Sequence, residues 1–300
     1  MRARGIAISA DGQRGYVGLT DDTNRGVIGI LALQPLTMTR QAGLGPNSSS
    51  LNDVALRHDE RLLFAAEREA GALAVVDLLS ATLTHRLPVG ALPNGVALQR
   101  GVGYVANFGS HSVTIFNPAT GAISGTINNI GAEPSLFAVE EFLPNAELAE
   151  SGCCIASDQV FLSLHGADQV ITLAGIAPID ARTAMTDAYG LAYDPAGRRL
   201  YVAHRGPAHR ISVIDVAADH LLGAIDTAEK EPYVLAVNPE TGHLFAVCDG
   251  QVRVYRTSDW GLVKIIALAA GDNSRISLDR VFGRVYITAF EERMLSVIQD

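Results

Sequence analysis

Lysine is almost missing from this 300-residue chain. It occurs only at Lys230 and Lys264, so arginine carries nearly all the positive charge. Basic residues are outnumbered by acidic ones, and the net charge of −9 excludes a general phosphate-binding surface of the kind nucleic-acid binders present. Cysteine is also scarce: Cys153, Cys154 and Cys248 form neither a disulfide framework nor a CxxC or CxxCH motif. They read as small buried thiols, and the redox compartment stays open. No apolar run reaches the ~18–20 residues that a membrane-crossing helix needs. The N-terminus, with Arg2 and Arg4 but no apolar stretch, shows no signal peptide. GxSxG, HExxH, EF-hand and glycine-rich phosphate loops are all absent, which removes the common contiguous catalytic and metal motifs.

What is abundant is short apolar runs between turn formers. The unit PNGVALQRGVGYVANFGSHSVTIFNPATGAISGTI, residues 93–127, holds four of them, separated by Gly, Asn, Pro and Ser. Runs of this length and composition read as strands, and four with short links make an up-and-down antiparallel sheet. One such sheet cannot bury both faces and needs copies to pack against. Aligned on the second strand, the copies carry aromatic anchors at Tyr16, Phe64, Tyr104, Phe161, Tyr201, Phe245 and Tyr286. Successive anchors lie 48, 40, 57, 40, 44 and 41 residues apart. A period near 40 with four strands per period predicts an all-β, seven-bladed β-propeller. Its blades are expected at 5–45, 51–90, 91–131, 132–186, 187–228, 229–271 and 272–300 of one domain.

Two irregularities stand out. The fourth unit carries an insertion between its first two strands, with a helical turn expected at 147–151. The seventh has only three strands before Asp300, and the few residues ahead of Gly5 are too short to supply the fourth. A three-stranded last blade leaves a bare edge. The expectation is therefore a chain that belongs to a longer protein, or a partner domain or strand that completes this blade.

The repeats resemble the YVTN-type β-propeller repeat family. The resemblance lies in GYVANFGSHSVTIFNPATGAISGTI (103–127), LYVAHRGPAHRISVID (200–215) and RVYITAFEERMLSVIQD (284–300), with lead-ins at 92–99 and 187–203. It covers nearly the whole chain outside the insertion and implies a periplasmic or extracellular home. It says little about activity, because one scaffold hosts many functions. Related lactonases place a histidine just before a blade's first strand, where this chain reads Pro93-Asn94-Gly95-Val96. Other relatives hold calcium with carboxylates and amides that converge on the axis, or form parts of haem or quinone redox proteins.

In a propeller the first-strand starts and second-strand ends share one face, around the mouth of the central channel, where loops place ligand-binding groups. The starts offer Asn52, Asp53, Asn94, Glu133, Asp187, Tyr189, Glu231, Tyr233, Asn273 and Arg275. The ends offer Thr20, Glu67, Arg68, Asn107, His165, His204, Arg205, Asp249 and Glu291. The selected ligand-binding candidates are Asn52, Asp53, Glu67, Asn94, Asn107, Glu133, His165, Asp187, His204, Arg205, Glu231, Asp249 and Asn273. This set is rich in acids and amides, a donor chemistry that suits a hard cation such as Ca2+, although Asp and Asn also favour such turns for backbone reasons. No cofactor is evident, and no catalytic residue is assigned. The leading expectation is a non-catalytic scaffold that binds a protein, a surface polymer or a small ligand at the mouth. A lactonase-like hydrolase with a divalent cation and the propeller part of a haem or quinone redox protein are the alternatives.

Overall fold

The computed structural model describes residues 1–139, 159–174, 177–182, 185–268, 273–290 and 292–300, with backbone alone at 177, 179–181 and 273–274. Cys153, Cys154, Glu291 and the expected helical turn at 147–151 lie outside the described residues. The fold is a seven-bladed propeller: six antiparallel sheets of four strands and a last sheet of three. The innermost strands are Arg2–Ile8, Leu51–Leu56, Pro93–Gln99, Pro134–Val139, Ala188–Asp194, Pro232–Asn238 and Asn273–Asp279. Each packs on the innermost strand of the next blade, and that of blade 7 packs on that of blade 1, so the ring closes. Blade 1 begins at Arg2 rather than Gly5: Arg2 and Ala3 pair with Thr20 and Leu19 ahead of a register shift. No helix among the described residues is long and apolar enough to cross a membrane.

The sequence anchors explain why the blades form a ring. All seven aromatics, from Tyr16 to Tyr286, are buried to within about one per cent of their surface. Each sits opposite a small inner-strand residue: Ala7, Ala55, Ala97, Ala138, Ala192, Ala236 and Ser277 respectively. Cross-strand partners share one face of a sheet. Small side chains near the axis let the seven inner strands crowd together, and large rings one strand out fill the widening wedge between sheets. Close packing without voids demands this gradient of size. The buried apolar residues fall accordingly into clusters that each join neighbouring blades, including blade 7 to blade 1 through Tyr286 with Val17 and Leu31. Each inner strand bonds to its own sheet along one edge only, so the other edge faces the channel.

Two local devices finish the ring. In blades 1, 3 and 5 a glycine stands near the start of the inner strand, where the next blade comes closest. A Cβ on Gly190 would lie 2.2 Å from the Tyr233 carbonyl oxygen, and one on Gly95 would lie 2.5 Å from that of Ser135. In blade 7 the third strand, Met294–Gln299, has no outer neighbour, and Met294 and Val297 are 44% and 42% exposed. The Asp300 carboxylate fastens this strand to the first hairpin of blade 6. It accepts hydrogen bonds of 2.6 Å from Asn238 Nδ2 and Thr241 Oγ1 and pairs with His243 Nδ1 at 2.6 Å. Burial would raise the Asp300 pKa, but these three partners outweigh it and hold the group below its ordinary value.

Candidate functional site: the mouth of the channel

Chain alternation decides what reaches the mouth. The last residues of the second strands are Thr20, Glu67, Asn107, Leu164, His204, Cys248 and Ala289, and all are buried within their own blades. Glu67 accepts Arg86 Nε at 2.5 Å and Arg86 Nη2 at 3.1 Å. Asn107 donates to Ser112 Oγ at 3.1 Å and Thr114 Oγ1 at 2.9 Å. His204 lies between the Thr186 carbonyl (2.6 Å from Nδ1) and Ser212 Oγ (2.7 Å from Nε2). Burial pulls its pKa below the ordinary 6.5. These three candidates tie strands together rather than line the channel.

One residue further on, the direction reverses. Arg68, Phe108, His165 and Arg205 follow Glu67, Asn107, Leu164 and His204, and all four line the mouth. In blades 3 and 4 this next residue opens a short 3-10 turn, Phe108–Ser110 or His165–Ala167. The turn ends at a left-handed residue, His111 (φ 51°) or Asp168 (φ 53°). It swings the chain away from the second strand and leaves its first side chain aimed at the axis.

The inner strands supply the floor. Arg4, Asn52, Asn94, Ser135, Tyr189 and Tyr233 occupy equivalent positions near the strand starts. Arg4 Nη1 donates to Asn52 Oδ1 at 2.8 Å, Asn52 Nδ2 to Asn94 Oδ1 at 2.9 Å, and Asn94 Nδ2 to the Ser135 carbonyl at 3.3 Å. This hydrogen-bonded arc crosses four blades. Beneath it Arg275, from blade 7, reaches past Gly5 of blade 1 to Asp53 of blade 2. Its Nε donates to Asp53 Oδ1 at 3.2 Å and its Nη2 to the Asn94 carbonyl at 3.0 Å. The other Asp53 oxygen accepts the Val96 N–H at 3.1 Å. Burial pushes the Asp53 carboxyl up, against the pull of Arg275. Burial also opposes the charge of Arg275, but Asp53 together with Tyr189 more than offsets it and keeps the guanidinium protonated.

The Arg275–Asp53 pair divides the channel. On one side lies a cavity of about 830 Å³ walled by inner-strand residues such as Ile8, Leu56, Leu98, Tyr193 and Val237. On the other is the mouth, a polar bowl of about 380 Å³ lined by Arg4, Arg68, Asn94, Phe108, Glu133, His165, Tyr189, Arg205, Tyr233 and Arg275. Four guanidiniums thus face one carboxylate in a chain of net charge −9. Arg205 is gripped from both sides, with Tyr189 and Tyr233 ring centres at 4.8 and 5.2 Å and Glu231 Oε1 at 3.1 Å. Arg68 stacks over Phe108 at 5.7 Å. Tyr233 donates to Asp249 Oδ1 at 2.8 Å, and burial with that bond raises its pKa. His165 meets Tyr189 edge-on at 5.7 Å.

Of the remaining candidates, Asn94, Glu133 and His165 reach the bowl directly. Asn52, Asp53, Glu231 and Asp249 stand behind it as partners of residues that do. Asp187 uses its backbone, its N–H donating to Asp168 Oδ1 at 2.8 Å, and the Asn273 side chain is outside the described residues. Among the described residues no three His, Cys, Asp or Glu side chains gather as a metal-binding group. The selected candidates include Asn94, Glu133, His165 and Arg205 of the bowl; Arg68, Tyr189, Tyr233 and Arg275 stand only among the wider strand-end positions, and Arg4 and Phe108 in neither group. From the sequence Arg4 falls ahead of a first strand that begins at Gly5, and Phe108 looks like an ordinary turn residue. Counting one place past each second strand would have found Phe108.

No family model matches this chain, so the YVTN-type family stays a resemblance, and no curated protein matches it either. Among solved structures it is similar to Kuenenia stuttgartiensis hydrazine synthase, with a TM-score of 0.82 and 14% identity. The match covers 99% of this chain and 95% of that one. At such low identity the likeness is one of fold alone, and it runs over essentially the whole length of both chains.

Proposed function

We propose that this protein is a binding module that takes a small polar ligand, or a polar group of a larger partner, into the mouth of its channel without transforming it. The observation that carries this reading is the bowl itself. All seven blades send side chains into one cavity of about 380 Å³, and hydrogen bonds across blades hold its floor in place. A rigid ring with convergent polar groups is the usual form of a recognition site.

The test is a thermal-shift screen of small acids, sugars and amines on the 300-residue chain, repeated on two variants. Arg205→Gln alters the bowl, and Arg280→Gln alters the lining of the opposite cavity. Hits weakened by Arg205→Gln and indifferent to Arg280→Gln are expected, with each compound recovered unchanged. Hits that respond only to Arg280→Gln, or compounds consumed on incubation, would overturn the reading.

A further inference from the structure

We infer that the group recognised in this bowl is an anion, a carboxylate or phosphoryl group carried on a small ligand, and that it enters on the side of blades 7, 1 and 2. The inference rests on the mouth being the binding site and adds the charge of what binds there. The bowl is charged unevenly around its circumference. Arg275, Arg4 and Arg68 come from the three consecutive blades 7, 1 and 2. Glu133 comes from blade 4, with Tyr189 and Tyr233 beside it on blades 5 and 6. Arg275 is neutralised by Asp53 and Arg205 by Glu231. Among the described residues Arg68 has only the Phe108 ring against it, so its fork of donors faces the cavity without a carboxylate.

An arginine fork matches a carboxylate or phosphate with two parallel hydrogen bonds, and such charge-assisted bonds are about twice as strong as neutral ones. Low-dielectric walls focus the field of charges set inside a concavity. The surrounding protein carries the opposite sign, so this local field belongs to the bowl rather than to the surface at large.

A shape-matched series separates charge from fit. Benzoate, benzamide and benzamidine share one outline and differ in charge, and inorganic phosphate adds the second anion class. Isothermal titration of all four against the wild type, Arg68→Gln and Arg205→Gln is the experiment, with the melting temperature of each variant as a folding control. The expected order is benzoate tightest and benzamidine weakest, with phosphate also bound. Arg68→Gln should weaken benzoate and phosphate about tenfold or more, the loss of one charged hydrogen-bonding partner. It should leave benzamide and the melting temperature unchanged. Benzamide or benzamidine binding more tightly than benzoate, still sensitive to Arg205→Gln, would overturn the anion inference and leave the mouth as the site. Benzoate binding that ignores both Arg68→Gln and Arg205→Gln would overturn the mouth itself. No binding of benzoate or phosphate would overturn the anion inference, while the broader screen judges the mouth.

Discussion

Two rings of residues, one position apart in sequence, do opposite work in this molecule. Glu67, Asn107 and His204 end their second strands inside the blade. There Arg86 holds the Glu67 carboxylate and neighbouring hydroxyl and carbonyl groups hold the Asn107 amide nitrogen and the His204 ring, while Asn107 Oδ1 has no partner among the described residues. Arg68, Phe108 and Arg205 come next and face the open bowl. Both rings look alike to composition, since each puts charged and ring-bearing side chains at a strand–loop junction. The strict alternation of strand side chains separates them. Burial then sets the energetics: a polar group inside a blade must be paired there, whereas one at the mouth can keep its hydrogen-bonding capacity for a ligand.

The contrast can be broken most forcefully at Glu67. Its carboxylate is wholly buried against Arg86, and removing one partner of a buried pair costs about 3–5 kcal/mol. Here the low end, about 3 kcal/mol, applies, because the Arg86 left behind is 27% exposed and keeps the Leu44 carbonyl. Glu67→Ala should lose about that much in denaturant titrations while benzoate affinity stays as in the wild type. Asn107→Ala comes second. It strips partners from Ser112 and Thr114, and a loss of about 1–3 kcal/mol is expected from buried hydrogen bonds left unmade.

His204 sharpens the comparison through pH. Its folded pKa lies below the ordinary 6.5 because burial disfavours the charged ring. Between those two values the unfolded chain binds a proton that the folded chain does not, so stability falls as pH falls. The contribution is complete above 6.5. It is lost toward the lower folded value, with a slope of at most about 1.4 kcal/mol per pH unit for one group. Melting curves from pH 7.5 to 5 should therefore drop more steeply for the wild type than for His204→Asn. Parallel curves would place the titration elsewhere. The smallest stability effect is expected at Arg68→Gln, within about 0.5 kcal/mol, as for other substitutions away from packed features.

Much of the architecture is legible from residues 93–127 alone, because the aromatic anchors and the turn formers between strands recur in every copy. The three-stranded last blade also follows from the sequence, since too few apolar runs remain after Tyr286. The site is harder to read. Register shifts near the starts of the inner strands, as between Leu51 and Val54 or Ala188 and Leu191, spoil simple counting of which residue faces which way. Alternation from the second strand is undisturbed, and counted along the strand it separates Glu67, Asn107 and His204 from Arg68, Phe108 and Arg205. The pairing of Arg275 with Asp53 spans 222 positions and three blades, so no local pattern announces it. The positive character of the bowl in an acidic chain emerges only when the ring closes and brings arginines from blades 1, 2, 5 and 7 together.

The most direct test places the neighbours side by side: unfolding midpoint and benzoate affinity, measured together on Glu67→Gln and Arg68→Gln. Glu67→Gln should lower the midpoint and leave the affinity alone, and Arg68→Gln should do the reverse. If Glu67→Gln weakened benzoate as much as Arg68→Gln does, or if neither did, the division between blade-holding and ligand-facing rings would be contradicted.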